Sequence, residues 1–595
     1  MCRIYGYFGL DLDADALDAA RDAQLPGGPD QQRHARGEHW GLGCNRLSIQ
    51  DPGHGHQPFA NADATVHAVF NGEIYNFRAI REELARHGVH VEGDSDGSVL
   101  VPYYELHGDG FVDRLEGMYA IALVDRRTGP PRLKLWCDPL AVKSLYYAAT
   151  DRGIAFSSEL SGLAPLLRRP VAVDALAVDH YMNWQCLPDG SSWYAGVSSL
   201  RPGERLVHDG RAAERRLPGD PEPEGPEPGD PEPGPGAPGE ADAEFGPDRL
   251  GALLAEEVAR MTLQDAPVAV QVSGGLDSAV LATLLGRLRP DVTGFHVTHE
   301  GRHDSDEEHY ARRAAAHAGI PLDVVEIREA ELPALIPEMV RALGAPNATP
   351  HALSAYVLFR RIAGRGLRVC FTGDGADEQF GGYRRYSTAL AATDAAWRPR
   401  YLDRLSLVPE AEYRGLYTHE YRALLDARGS SRQRSLELLE RPAPSRLEQI
   451  LAFDRLHKLP GLNLRKLDHL AMAHAVEGRV PYCQPAVTRF ARRTRDAWKV
   501  DGPHRKRILW DAGAPLVPEA VRTRQKQPFT FPVRAFMAPG TALWDFAAAT
   551  LARPRLCAAG FLDAAAVRTV LTEHGRGRDH ARLLWGLMVL ELSLP

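Results

Sequence analysis

The hexapeptide Ser273-Gly274-Gly275-Leu276-Asp277-Ser278 carries the residue types that hold a phosphate group. Apolar runs at 267–272 and 279–285 flank it and predict a strand, a tight turn and a helix. Glycines let the backbone approach a ligand closely. The N-terminus of the following helix offers unpaired N–H groups and a partial positive charge. Ser273 and Ser278 add hydroxyl donors. Asp277 would repel an anion, so its chemistry is that of a Mg²⁺ ligand bridging to phosphate oxygens. An ordinary strand-to-helix turn uses the same glycines, and the spacing is not the Gly-x-x-x-x-Gly-Lys-Ser/Thr of a P-loop. A second such stretch, Thr372-Gly373-Asp374-Gly375-Ala376-Asp377-Glu378-Gln379-Phe380-Gly381-Gly382-Tyr383, directly follows the strand-like residues 367–371. A solvated acidic turn has that composition too. At a neighbouring strand end, however, Asp377 can join Asp277 in holding Mg²⁺ on a triphosphate.

Cys2 is a third candidate. Removal of Met1 would leave its thiol beside its own α-amine, whose pKa of about 7.7–8.0 suits a general base. The thiolate would be a strong nucleophile toward an amide carbonyl. Position alone is weak support, because a cysteine near a terminus is usually incidental. Four other stretches add to it: Arg46-Leu47-Ser48-Ile49 on a short apolar strand, Asn71-Gly72-Glu73-Ile74-Tyr75-Asn76 after the strand-like 68–70, Ser95-Asp96 opening an apolar run, and the buried-strand pattern 115–123. Each is bland by itself, since a strand arginine usually pairs at the surface and Asn-Gly usually turns.

Together and in this order, these pieces of residues 2–163 resemble the class II glutamine amidotransferase domain with an N-terminal cysteine nucleophile. The resemblance implies two antiparallel sheets packed as a sandwich and flanked by helices. It implies that Cys2 attacks the γ-carboxamide of glutamine. Asn71 and the Gly72 N–H would donate to the oxyanion, Arg46 would grip the substrate carboxylate, and Glu73 and Asp96 would hold its ammonium group. The segment 137–147 departs from the family, with Cys137, Ala141 and Ser144 where Arg, Gly and Pro are usual.

The Ser273 motif resembles the SGGxDS loop of ATP pyrophosphatases, which split ATP to AMP and pyrophosphate. The 372–383 loop, the stretch 466–481 and Arg524-Gln525-Lys526-Gln527-Pro528-Phe529 resemble glutamine-hydrolysing asparagine synthetases. The implied reaction adenylates a carboxylate with ATP and Mg²⁺, then forms the amide from glutamine-derived ammonia passed between the sites as neutral NH₃. The resemblance implies that Ser273, Gly274, Gly275, Asp277, Ser278, Thr372, Gly373 and Tyr383 bind ATP or pyrophosphate. Asp277 and Asp377 would bind the metal, and Asp374 and Lys526 would serve catalysis.

Strand and helix patterns alternate from 267 to 371, predicting a doubly wound parallel sheet with ligands at the strand C-termini. The C-terminal third reads as mostly helical. The expected organisation is an α/β multidomain chain: a glutaminase domain at 1–216, a linker at 217–247 and a synthetase domain at 248–595. Within the linker, 218–239 is almost entirely Pro, Gly, Asp and Glu, with nothing to bury, and is expected to stay disordered.

The chain has 595 residues and a net charge of −8, which gives no reason to expect nucleic acid or an anionic membrane as partner. No apolar run reaches membrane-spanning length, and no signal-peptide core follows Met1. Seven cysteines without a CxxC pair argue against a disulfide framework and a zinc site. A reduced, cytoplasmic enzyme is expected, with glutamine, ATP and an acid acceptor as partners and a homodimer as the candidate assembly. Aspartate is the default acceptor. Residues 344–352, His469 and Pro481-Tyr482-Cys483-Gln484 depart from the family near the expected acceptor pocket, so amidation of another carboxylic acid is the alternative reading. A ring-forming relative of the β-lactam synthetase or lasso-cyclase type is a third, opposed by the presence of Cys2, Arg46, Asn71 and Asp96.

Overall fold

The computed structural model describes residues 2–188, 190–210, 213–216, 244–262, 266–301, 303, 307–394, 396–523 and 531–595. The tract 218–239 and Lys526 lie outside them.

The N-terminal part is two six-stranded antiparallel sheets. Strand Cys2–Phe8 runs inside the first, between Trp40–Arg46 and Gly153–Ser157. All seven of its residues are buried, because both of its faces are covered. Successive side chains alternate across a sheet. Cys2, Ile4 and Phe8 therefore share a core with Val69, Ala120, Ala122, Leu133 and Leu135 of the second sheet. Tyr5 and Tyr7 belong to the opposite core, with Leu17, Leu160 and Leu163 from helices Ala14–Ala23 and Leu160–Leu167. The second sheet repeats this logic. The outward residues Ala68, Phe70, Ile121 and Leu123 pack with Phe77, Ile80 and Leu100 of the helices Phe77–Arg86 and Leu100–His107.

The C-terminal part is built on a five-stranded parallel sheet in the order Leu322–Ile327, Thr293–His299, Val268–Gln271, Val369–Phe371, Glu477–Arg479. The first strand in sequence is central. The next two step to one side and the last two to the other, so the strand order reverses between Val268–Gln271 and Val369–Phe371. A doubly wound sheet opens its ligand crevice at this switch point. The Ser273 loop and the Thr372 loop leave the C-terminal ends of these two strands. From Ala376 onward the chain is mainly helical.

The expected α/β architecture, with an antiparallel sandwich followed by a doubly wound sheet and a helical C-terminal part, is the one observed. Two local expectations differ, and one further strand was not foreseen. The strand carrying Arg46 stops at Arg46 rather than running to Ile49. The carbonyls of Gln50, Asp51 and Pro52 turn back to receive the Arg46 guanidinium, which takes that segment out of the ladder. Asn71-Gly72 is not a turn after a strand but lies inside strand Val66–Ile74. A Cβ on Gly72 would stand 2.1 Å from the Met118 carbonyl oxygen of the paired strand, so only glycine fits that close approach. The fifth parallel strand, Glu477–Arg479, has no apolar pattern to announce it.

Candidate active site

Cys2 lies at the start of its strand, directly opposite Arg46. Its backbone nitrogen donates to Asn71 Oδ1 at 3.2 Å, and Gln57 Nε2 donates to its Sγ at 3.2 Å. Gln57 is itself clamped on strand Val66–Ile74, accepting from the Phe70 N–H and donating to the Phe70 carbonyl. Burial alone pushes the Cys2 thiol up. The Cys44 thiol, the amino-terminal charge, Arg46 and the Leu47 N–H outweigh burial and bring the thiol down to about 7. Asn71 shares the inward parity of Val69. Its Oδ1 is taken, while its Nδ2 is buried with no hydrogen-bond partner among the described residues.

Arg46 is 5% exposed, and its guanidinium is gripped by three loop carbonyls. No carboxylate pairs with it among the described residues. Asp96 accepts from the Ile74 N–H at 2.8 Å, and burial, opposed by that bond, raises it to about 6. Burial, with Glu477 and Asp96 nearby, pushes Glu73 well up against the pull of Arg479. Cys2, Arg46, Asn71, Gly72, Glu73 and Asp96 are thus brought to one end of the sandwich. Gln57 and Cys44 join them. Neither carries a signal in the sequence: Gln57 lies in a loop and reaches Cys2 through its side chain, and Cys44 comes near only because its strand pairs with that of Cys2.

In the second cluster, Ser273 and Ser278 hydroxyls lie 3.0 Å apart across the turn. The Ser278 hydroxyl also accepts from the Ser273 N–H, and the Ser273 hydroxyl accepts from the Gly275 N–H. Asp277 lies in the first turn of helix Leu276–Leu288, and Asp377 in that of helix Ala376–Phe380. Lys506 Nζ bridges them, at 2.7 Å from Asp277 Oδ2 and 2.9 Å from Asp377 Oδ1. Burial lowers this lysine, but the two aspartates more than reverse that and raise it. A side chain at position 382 would collide with Asp377 Oδ1 and Lys506 Cε, so Gly382 is the residue that leaves the bridge its room. Asp277 Oδ1 is buried with no hydrogen-bond partner among the described residues. Thr372 Oγ1 donates to Asp374 Oδ2 at 2.8 Å, and Gly373 stands against the Asp277 side chain. Tyr383 donates to Glu378 at 2.8 Å. Lys506 is the residue that sequence reasoning missed. It sits in a basic loop with no motif around it, and only the fold carries it to the aspartates.

The two clusters are linked. Arg479 ion-pairs with Glu477 and reaches within 3.8 Å of Glu73, while its carbonyl accepts from the Thr372 N–H at 2.9 Å. A small cleft at this junction is lined by Gln50, Glu73, Tyr75, Arg260 and Arg479.

The chain thus joins two clusters, one around Cys2 on an antiparallel sandwich and one around Asp277 and Asp377 at the switch point of a parallel sheet. The Glutamine amidotransferase domain model matches residues 1–216, and the Asparagine synthase model matches residues 249–595. A Mycobacterium tuberculosis protein provisionally named a glutamine-hydrolysing asparagine synthetase is 31% identical over 93% of this chain and 88% of its own length. Asparagine synthetase 1 of Bacillus subtilis is 27% identical over 86% of this chain and 83% of its own. Amidase chry2 of Gibberella zeae is 27% identical over 64% of this chain and 58% of its own. The chain belongs to the asparagine synthase family. It is a glutamine-dependent ligase that uses ATP to make an amide from a carboxylic acid.

Proposed function

We propose that this enzyme amidates aspartate to asparagine, with Cys2 as the glutaminase nucleophile. The observation that carries the reading is the presence, in one chain, of a thiol brought down to about 7 beside the unused Asn71 Nδ2 donor, and of the Asp277–Lys506–Asp377 bridge at the sheet's switch point. Cys2 attacks the glutamine carboxamide, and Asn71 Nδ2 with the Gly72 N–H receives the oxyanion. Arg46 takes the substrate carboxylate in a forked contact, and Glu73 and Asp96 take its ammonium group.

In the second site, Ser273, Gly274, Gly275, Ser278, Thr372 and Gly373 cradle the nucleotide. The unpartnered Asp277 Oδ1 fits a hard cation, and with Asp377 it would hold Mg²⁺. A bound Mg²⁺ would offset negative charge on the phosphates. Lys506 neutralises charge on the departing pyrophosphate, and Asp374, held by Thr372, orients the acceptor or moves its proton. Lys526 belongs to the same proposal from its motif. Arg479, tied to both clusters, supports a junction through which ammonia passes.

Pyrophosphate release with ATP, Mg²⁺ and glutamine, measured with and without aspartate, tests the reading. Aspartate-dependent release with asparagine formed is expected. In Cys2→Ala, ammonia should still drive amidation while glutamine does not. In Asp277→Ala, pyrophosphate release should stop while glutamine hydrolysis persists. Glutamine hydrolysis with no response to aspartate would overturn the acceptor assignment and direct the search to other acids.

A further inference from the structure

Beside the loop 372–383 lies a buried basic cluster that the reaction as described does not use. Lys458 is 6% exposed, within the π-helical stretch Asp454–Leu464. Such stretches recur at functional sites. Its Nζ lies 5.5 Å from the centre of the Tyr383 ring, and among the described residues no hydrogen bond or ion pair holds it. Lys466, 5% exposed, donates to His351 Nε2 at 2.7 Å. Burial, with Lys466 and Lys458 beside it, keeps His351 well below its usual range, so its ring is neutral and accepts from Lys466. Asp374 and Glu378 both act on Lys466, which sets the cluster against the nucleotide-side loop.

The nearby anions are already engaged. Asp454 receives Arg385, Tyr386 and Tyr401. Glu378 Oε1 receives both the Tyr383 hydroxyl and Asn463 Nδ2. Burial and Arg385 drive the Lys458 ammonium down to about 7, against the weaker pull of Asp454 and Glu378. Among the described residues no carboxylate is in ion-pair contact with this buried ammonium, and leaving it so is costly.

We propose that Lys458, backed by Lys466 and His351, is a specificity-determining residue that binds a second carboxylate on the acceptor acid. The preferred acceptor is then a dicarboxylic acid, whose far carboxylate docks here while its near one reacts beside Asp374. This rests on the amide-synthetase reading of the second site and does not require that the acid be aspartate.

The test compares acids in pairs that differ only by the far carboxylate: aspartate with β-alanine, succinate with propanoate, glutarate with butanoate. Acid-dependent pyrophosphate release is measured for the full chain with ATP, Mg²⁺ and glutamine. In the wild type, kcat/KM should favour the dicarboxylate of any active pair by at least about tenfold. Lys458→Met should raise KM for that acid by a similar factor at little cost in kcat, and should erase the preference. Lys458→Arg should retain it. A melting curve for each variant separates misfolding from lost recognition, and the wild-type panel decides the question even if Lys458→Met does not fold. Equal or better use of monoacids overturns the proposal while leaving the amide-synthetase reading standing. A fall in kcat at constant KM in a folded Lys458→Met, or no effect at all, overturns it as well. Glutamine hydrolysis with no acid-dependent pyrophosphate release would overturn the underlying reading and the proposal with it.

Discussion

Asn71 divides its amide between two tasks. Its oxygen receives the Cys2 nitrogen, and its Nδ2 is held in the interior without an acceptor among the described residues. A buried donor left unpaired costs about 1–3 kcal/mol, and an oxyanion formed in the reaction would recover it. Asn71→Ala should therefore lower kcat for glutamine hydrolysis by about 10²–10³ with little change in KM, measured by steady-state glutamate release. Cys2 gives a pH signature. Its neighbours bring the thiol down to about 7 against burial, and in the proposed reaction the attacking form is the thiolate. Glutaminase kcat/KM should rise as pH climbs through about 7. Since the Cys44 thiol supports the Cys2 thiolate, Cys44→Ala should move that rising limb to higher pH. A pH–rate profile of the two proteins checks both statements.

At the scale of the element, the short strand Glu477–Arg479 couples the two halves. Its backbone pairs with Val369–Phe371 and receives the Thr372 N–H. Its Arg479 side chain meets Glu477, the Met261 carbonyl and, at 3.8 Å, Glu73. One residue thereby touches the Thr372 loop through its backbone and Glu73 of the proposed glutamine site through its side chain. Arg479→Met would leave Glu477 buried without its cation. A loss of about 3–5 kcal/mol is expected by chemical denaturation, together with a raised ratio of glutamine hydrolysed to amide formed.

At the scale of the whole molecule, Arg3 points away from Cys2, across the strand, to Asp468 at 2.7 Å and to Glu159 at 2.6 Å. Lys143 reaches the other Asp468 oxygen at 2.8 Å. The loop that presents Lys143 is organised by Asp138, which accepts the N–H groups of Tyr119, Leu140, Val142 and Lys143. The departures at Ala141 and Ser144 fall in this loop, at the contact between the two halves. Burial would raise Asp468, but Arg3 and Lys143 overcome it and hold the carboxyl well below its usual range. Its contribution to stability is therefore complete above about pH 4, the ordinary aspartate value, and is lost as pH falls toward the depressed folded value. Asp468→Asn should cost about 3–5 kcal/mol at neutral pH. It should also flatten the acid limb of the stability profile, measured by denaturant melts across pH.

The sequence by itself determined the chemistry that stays local. A strand–glycine–helix loop with Ser273 and Asp277, a second acidic loop after a strand, and the alternating elements between them follow from apolar periodicity and backbone permissiveness within short windows. The sandwich and its candidate residues Cys2, Arg46, Asn71 and Asp96 were legible through the family resemblance of the ordered pieces, each stretch being bland by itself. The tertiary structure alone decided which distant groups complete the sites. Lys506 is 229 residues from Asp277 in sequence, Gln57 meets Cys2 across the sandwich, and Lys466 meets His351 across 115 residues. Single charged or polar residues in unpatterned segments carry no periodic signal. Their meaning arises when burial removes water and makes the nearest partner, rather than the solvent, answer for their charge.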